Sequence, residues 1–485
     1  MMKRISLILL LISLTYYSKT NAQDTTWTKT FGGSSNDRGY SVQQTTDGGY
    51  VIGGYTSSYG NGSADVWLIK TDADGDTLWT QTYGGSSNDR GYSVQQTTDG
   101  GYIIAGYTES FGNGDDDVWL IKTDSNGDSL WTKTFGGSDG DYGYSVQQTT
   151  DGGYIITCTE YSYGMDSNIW LIKTDSLGQE EWNQIFYYVG NSEGRSVQQT
   201  TDGGYIIAGM YSYLAILIKT DSLGNEEWHT SYFPSGSSSS WGSCVQQTID
   251  NGFIFTGYSF MYDVWTTDVL LIKTDSLGNE EWNQTFGGNE DDYGSSVQQT
   301  TDGGYIITGI TTSFGNGGQD MWLIKTDADG DEEWNQTFGG SNNDEGHSVQ
   351  ETTDGRYVIT GSTASFGYGG EDVWLIKTDS DAVVEIASTF NLPATYNIHQ
   401  NYPNPFNPIT TLRYDLPENS YVNVTVYDIL GREVRTLVNS TQDAGFKSVI
   451  WNATNDYGEP VSAGVYLYQI QAGEFVQTKK MVLLK

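Results

Sequence analysis

A unit of about fifty residues recurs seven times along the chain, and this repeat restricts the possible folds more than any other feature. The landmark D-G-G-Y begins at Asp47, Asp99, Asp151 and Asp202, becomes D-N-G-F at Asp250, returns at Asp302 and ends as D-G-R-Y at Asp354. Successive spacings are 52, 52, 51, 48, 52 and 52 residues. A period this long and this regular belongs to a ring or a solenoid, in which each unit buries its apolar face against the next.

Each unit reads as four strands separated by turn chemistry: S-V-Q-Q-T-T, a D-G-G turn, Y-I-I-A-G-Y-T, a glycine-rich loop, D-V-W-L-I-K-T-D, a D-x-x-G turn, and W-T-Q-T-F. That pattern predicts a four-stranded antiparallel meander. The second and third runs are apolar almost throughout, as strands covered on both faces are. The fourth alternates, with Trp79, Gln81 and Tyr83 on one side and Thr80 and Thr82 on the other, which suits an outer edge. Such units arranged radially are blades of a β-propeller. The phase of the repeat adds that the ring closes. The repeats start after a lone fourth-type strand, residues 27–31, and stop after a third-type strand, residues 372–379. Pairing the first with the last completes a seventh blade and leaves few open edges, whereas a solenoid would carry capping units. The expected fold is therefore all-β, a seven-bladed propeller over residues 23–381.

Residues 1–22 carry Lys3 and Arg4, an apolar run over 5–14 and small residues before Gln23, the form of a secretory signal peptide. That run is too short to span a bilayer, and no other stretch comes closer, so no transmembrane segment is expected. Of the formal net charge of −38, residues 20–388 hold 53 acidic against 13 basic groups. Nucleic acid is thereby excluded as a partner, because phosphate binding needs clustered cations. Seven of those cations are one lysine per repeat, Lys70, Lys122, Lys173, Lys219, Lys273, Lys325 and Lys377, which reads as a set of local salt partners. Cys158 and Cys244 fall in different, non-neighbouring units, which argues against a disulfide between them.

After a linker over 382–400 the grammar changes. Alternating runs at 411–414, 422–427, 447–451 and 465–470 imply a small β-sandwich over residues 401–485. Its motifs are Y-P-N-P-F-N-P from Tyr402, Y-D-I-L-G-R-E-V from Tyr427, S-A-G-V-Y-L-Y-Q-I from Ser462 and K-K-M-V-L-L-K from Lys479. This region resembles the type A C-terminal sorting domain of the type IX secretion system, itself similar to the immunoglobulin-like domain of flagellar hook-capping proteins. The resemblance implies export by the type IX machinery acting through residues 401–485, and a secreted protein, extracellular or attached to the outer cell surface. The turn D-x-x-G-x-x-x-W, as in Asp72, Gly75 and Trp79, is similar to the docking motif of quinoprotein-type propellers but one residue shorter. It implies the fold and no cofactor.

Candidate sites follow from where the repeat breaks. Units four and five replace regular rim loops with aromatic residues: Tyr187, Tyr188, Tyr211, Tyr213, Tyr232, Phe233, Trp241, Phe260, Tyr262 and Trp265. Rings on a polar rim can stack on sugars or on apolar side chains of a surface protein. Asp37, Asp89, Asp141, Asp292 and Asp344 recur at one position and would form an acidic crown on the same rim. Asp72, Asp74 and Asp76, and Asp327, Asp329 and Asp331, are spaced like oxygen ligands of calcium, although other units carry Leu at the middle position and a plain Asp-Gly turn explains the pattern as well. No other cofactor is expected. His229, His347 and His399 are scattered in the repeat scheme, and no nucleophile with a base stands out. The sequence therefore reads as a non-catalytic binding or scaffold module, with a polysaccharide-active hydrolase of endoglucanase type or a lectin-like glycan-binding propeller as the alternative.

Overall fold

A computed structural model describes residues 26–162, 166–234, 236–261, 265–378, 395–401, 404–417, 419–442, 445–473 and 475–484. The described residues form two compact units, 26–378 and 395–484.

In the first unit every repeat folds as expected into a four-stranded antiparallel sheet. The first blade comprises Asp37–Gln44, Tyr50–Thr56, Asp65–Thr71 and Thr77–Tyr83. Its second and third strands are buried at every position, and its fourth is not. The seventh sheet takes its outer strand from the start of the chain: Trp27–Phe31 lies antiparallel to Asp372–Thr378, with Trp27 opposite Lys377 and Phe31 opposite Val373. The seven innermost strands contact one another in sequence, and the last contacts the first, which closes the ring. Seven separate apolar clusters follow, each built from side chains of two adjacent blades.

Three sets of contacts repeat around the ring, two between blades and one within each blade. On the inner strands the Q-Q dipeptide works as a reciprocal clasp. Gln43 Oε1 accepts from the backbone N–H of Gln96 in the next blade at 2.6 Å, and Gln96 Oε1 accepts from Thr46 N–H in the previous one at 2.8 Å. The pair of bonds recurs at all seven interfaces, including the closing one, where Gln350 accepts from Gln44 N–H and Gln44 from Thr353 N–H. Only the side-chain acceptor is used, so Glu351 replaces a glutamine without loss.

At the outer edge each tryptophan meets an aromatic ring of the following blade, from Trp27 with Tyr50 at 5.7 Å to Trp334 with Tyr357 at 6.0 Å. Six of these tryptophans, all but Trp334, also lie under the next D-x-x-G turn. A Cβ on Gly127, whose φ is +81°, would fall 2.7 Å from the Trp79 ring, so glycine is needed there for both backbone and space. The turn-and-tryptophan motif thus docks one blade on the next.

The third set is the lysines. Each is nearly fully buried and pairs with the aspartate of its own D-G-G turn, Lys70 with Asp47 at 3.0 Å and Lys122 with Asp99 at 2.8 Å, as expected of local salt partners. Cys158 and Cys244 are both free.

The second unit is a sandwich of a three-stranded and a four-stranded sheet around Trp451, Tyr468, Phe406 and Leu412. The expected strands appear as Thr410–Leu416, Ser420–Asp428, Gly445–Trp451 and Gly464–Ala472. Glu433–Gln442 and Phe475–Leu483 complete the larger sheet. Asn397–Ile398 pairs with Tyr414 and Asp415, and Ile398 is in the core, so the module reaches into the stretch expected to be linker.

Two outcomes follow from the interfaces. Removing residues 23–33 should bare the edge of Asp372–Thr378 and lower the melting temperature by more than Trp131→Ala does, a truncation expected to cost about 2–3 kcal/mol for a half-buried ring. Equal melting of the deletion and the parent would contradict closure.

The second outcome concerns Asp99. Burial raises its carboxyl, but hydrogen bonds from Lys122 and Thr97 and the lysine charge outweigh this and hold it at about 2. A carboxylate with a depressed folded value stabilises the fold above its unfolded value, and loses that contribution as pH falls through the folded one. Asp99→Asn should therefore destabilise at pH 6, on the order of 1 kcal/mol for so exposed a carboxylate. Its deficit should shrink between pH 4 and pH 2 in paired thermal melts.

A candidate ligand site at the channel mouth

The innermost strands line an axial channel with Val42 and Gln43 and their six repeats, a cavity of about 250 Å³. Each of these strands carries a β-bulge two residues before its valine, between Gly39 and Ser41 in the first blade and between Gly242 and Cys244 in the fifth. A bulge leaves one residue unpaired and re-aims its side chain. The seven residues so presented are Tyr40, Tyr92, Tyr144, Arg195, Ser243, Ser295 and His347.

Five of them form a continuous arc. The His347 and Tyr40 rings lie 4.8 Å apart, Tyr40 and Tyr92 5.1 Å, and Tyr92 and Tyr144 5.3 Å. The Arg195 guanidinium then sits 4.1 Å above the Tyr144 ring. Ser243 and Ser295 leave the remaining two positions small.

Two residues earlier a second tier runs Arg38, Arg90, Tyr142, Glu193, Trp241, Tyr293 and Glu345. Arg38 is fully compensated, bonding Glu371 at 2.5 and 2.7 Å and Glu345 at 2.9 Å. Burial opposes the charge on Glu345, but the His347 ring beside it and the Arg38 guanidinium hold its carboxyl below the usual range. Arg195 pairs with Glu193. Arg90 differs. Its guanidinium lies 4.5 Å over the Tyr55 ring, has no carboxylate at salt-bridge distance among the described residues, and keeps a buried Nε–H without a partner. On a strongly acidic protein, this leaves a partly exposed, unneutralised cation beside an aromatic arc. Burial pushes the Tyr40 and Tyr144 hydroxyls far above their ordinary value, so these two rings stay neutral at physiological pH.

The rim aromatics expected from the sequence fall into separate places. Tyr188 meets Tyr211 at 5.0 Å and His229 at 5.1 Å, and bonds Glu226 through its hydroxyl. Phe260 meets Trp265 at 6.1 Å. Trp241 stacks on Tyr258 at 5.7 Å and so belongs to the mouth. Tyr187, Tyr213, Phe233 and Trp265 are more than half exposed. Tyr262 lies outside the described residues. Tyr232 is a correction: it is buried, and its hydroxyl donates to Gly278 O at 2.9 Å, so its ring serves a blade interface and is closed to a ligand.

The acidic crown is also corrected. Asp37, Asp89, Asp141, Asp292 and Asp344 are buried at the heads of the inner strands. Asp37 accepts from Gly33 N–H at 2.9 Å and Ser58 Oγ–H at 2.7 Å, and also from Thr56, which ties two rim loops together. Each faces a second aspartate at the head of the preceding blade's third strand: Asp372 with Asp37, Asp65 with Asp89, Asp117 with Asp141, Asp268 with Asp292, and Asp320 with Asp344. Burial, reinforced by the charge of the paired acid, pushes Asp372 up to about 7 and Asp320 to about 6.

In the D-x-x-G turns, Asp72 Oδ1 accepts from Asp74 and Asp76 N–H, and Asp327 Oδ1 from Asp329 and Asp331 N–H. The same bonds form where Leu177, Leu223 or Leu277 takes the middle place, so the turn conformation itself requires no ion. The three histidines lie apart, His229 on Glu226, His347 beside Glu345 and His399 on Asp415. No group of three or more metal-ligating side chains occurs among the described residues.

Residues 408–474 match the family model of the FlgD Ig-like domain. The chain therefore combines a β-propeller-like repeat unit with a FlgD-type immunoglobulin-like module. A search of curated proteins returns no match to the sequence. Among solved structures the chain is similar to PorZ, described as a surface component of the type IX secretion system of Porphyromonas gingivalis, at 13% identity and a TM-score of 0.40. That alignment covers 91% of this chain and 58% of PorZ, so the chain spans little more than half of that protein. It is similar also to YCF48 bound to a D1 peptide, at 11% identity, TM-score 0.42, covering 74% of this chain and 96% of that one. The WD40 domain of Neurospora crassa Pan2 aligns at 8% identity and a TM-score of 0.45, over 73% of this chain and 91% of that one. None of these likenesses says what the chain binds. No helix among the described residues is long and apolar enough to cross a membrane.

Proposed function

We propose that the protein is a non-catalytic binding module of the cell exterior, exported by the type IX secretion system, which captures a glycan at the mouth of its propeller channel. The carrying observation is the arc from His347 through Tyr40, Tyr92 and Tyr144 to Arg195, with Arg90 unneutralised behind it. Stacked rings offer flat apolar faces to the C–H surface of a sugar, and a free guanidinium suits an acidic substituent on it. The exposed aromatics Tyr187, Tyr213, Phe233 and Trp265 on blades four and five would extend contact to a longer chain or to a surface protein. Export rests on the motifs in residues 401–485 and on the FlgD-type match within them. The cleavable signal would take the chain across the inner membrane first.

Glycan-array binding by the intact secreted chain should be strongest for uronic or other acidic sugars. Tyr92→Ala with Arg90→Ala should weaken the best ligand at least tenfold, since each stacking contact is worth roughly 0.5–1.5 kcal/mol and the charged contact more. Tyr213→Ala with Trp265→Ala should weaken it less. The opposite ranking would move the site to the rim. In the native host, deletion of residues 401–485 should leave the propeller in the periplasm. Surface display of that truncation, detected by antibody on intact cells, would end the export reading.

A further inference from the structure

The five aspartate pairs at the blade interfaces pose a problem that the binding site does not solve. Each pair brings two carboxylates of neighbouring blades together in a chain that is already strongly acidic. At the seventh interface, Asp372 Oδ1 and Asp37 Oδ2 lie 1.7 and 2.8 Å from the point where a Cβ on Gly32 would stand. At the first, Asp65 Oδ1 and Asp89 Oδ2 lie 1.7 and 2.9 Å from the same point on Gly84, and at the sixth, Asp320 Oδ1 and Asp344 Oδ2 lie 1.6 and 3.0 Å from that point on Gly339. The oxygens are thus near enough to share one ion.

Hydrogen bonding within the protein leaves part of each pair unsatisfied. Asp65, Asp320 and Asp372 are almost completely buried, and each uses only Oδ2, which accepts a loop N–H from Asn61, Asn316 or Tyr368. Their Oδ1 atoms have no partner. A buried, unpartnered carboxylate oxygen facing a second carboxylate is costly unless something positive joins them.

The two remaining interfaces supply the internal control. Between blades three and four the equivalent residues are Asn168 and Ser192, and between blades four and five they are Leu214 and Ser240. Both acids are present, or neither is. A loop-tying acceptor has no need of a charge, because Asn and Ser also accept hydrogen bonds. The glycine changes with them: Gly32 and its repeats become Tyr187 and Phe233 where the acids are absent, since no Asp Oδ1 then occupies that space. Three positions on two blades vary as one unit, as a shared ligand requires.

We propose that each of these five interfaces binds one divalent cation, calcium by its preference for carboxylate oxygen, bridging the third strand of one blade to the first strand of the next. Two carboxylates from different blades would neutralise the ion, and at the roughly 2.3–2.6 Å of a calcium–oxygen bond both reach it from their observed positions with small side-chain shifts. The ions act as staples on the rim, opposite the D-x-x-G turns. They are independent of the glycan site and of its test.

The test uses the intact secreted chain, stripped with EDTA and returned to 0.15 M NaCl at pH 7.5. Titration with CaCl₂ should raise the melting temperature by several degrees at 1 mM, with a smaller response to MgCl₂, which dehydrates reluctantly. Elemental analysis after gel filtration should find up to five tightly held calcium ions per chain. Asp65→Asn with Asp372→Asn should lower that number by two, and Asp320→Asn alone by one should the double variant fail to fold. Asp72→Asn with Asp327→Asn, in the turns on the other face, should leave it unchanged. A melting temperature indifferent to CaCl₂, or one that responds only to a fall in pH as for a shared proton, overturns the proposal. So does a calcium content that follows Asp72 and Asp327 instead.

Discussion

The glutamine clasp between inner strands is the contact on which the ring depends. Near the axis the first strands of neighbouring blades come close together and have to be joined. The free edge of each of these strands also carries backbone N–H groups that the blade's own sheet cannot satisfy. A side-chain amide oxygen reaching across meets both demands, and it does so in both directions, from Gln43 to Gln96 N–H and from Gln96 to Thr46 N–H. Such a bond is worth only about 1 kcal/mol, yet leaving the N–H buried and unpaired would cost more, which makes the pattern hard to vary. It recurs in every repeat, and its only departure, Glu351, preserves the acceptor.

Other features divide the work around this constant inner ring. Tryptophans brace the outer edge, buried lysines hold the D-G-G turns, and the aspartate pairs tie the rim loops. Since these duties are met at conserved places within each repeat, the bulge residue is free to differ from blade to blade. The chain uses that freedom once around the axis, with three tyrosines, a histidine and an arginine on one side and two serines on the other. An asymmetric site is thereby obtained from nearly identical parts, without disturbing any interface.

Much of this was legible in the sequence because it is local. The period gave the blades, the offset phase gave the closing strand, and the lysine before Thr-Asp gave the turn salt bridge. What was not legible depends on neighbours one repeat away. Tyr232 looks like a rim aromatic until the next blade's Gly278 is seen to receive its hydroxyl. Asp37 looks like a solvated turn former, although Gly33, Thr56 and Ser58 enclose it and Asp372, over three hundred residues later, stands opposite. The mouth was within reach, since the residue two places before the valine of each inner strand reads Tyr, Tyr, Tyr, Arg, Ser, Ser, His. Only the bulge shows that these side chains converge. In the second unit, Glu433–Gln442 and Phe475–Leu483 carry too many polar residues on their exposed faces to announce themselves as strands.

The pairing of Trp27–Phe31 with Asp372–Thr378 also sets an order of events. Every other sheet can form from one continuous stretch of chain, so six blades can assemble as they are made. The seventh must wait until the two ends of the repeat region exist together, and bringing them together carries the loop-closure entropy of the whole array unless the intervening blades are already in place. Ring closure is thus the last step available to this chain. Until its final repeat is made, the propeller remains an open arc whose first strand has no partner.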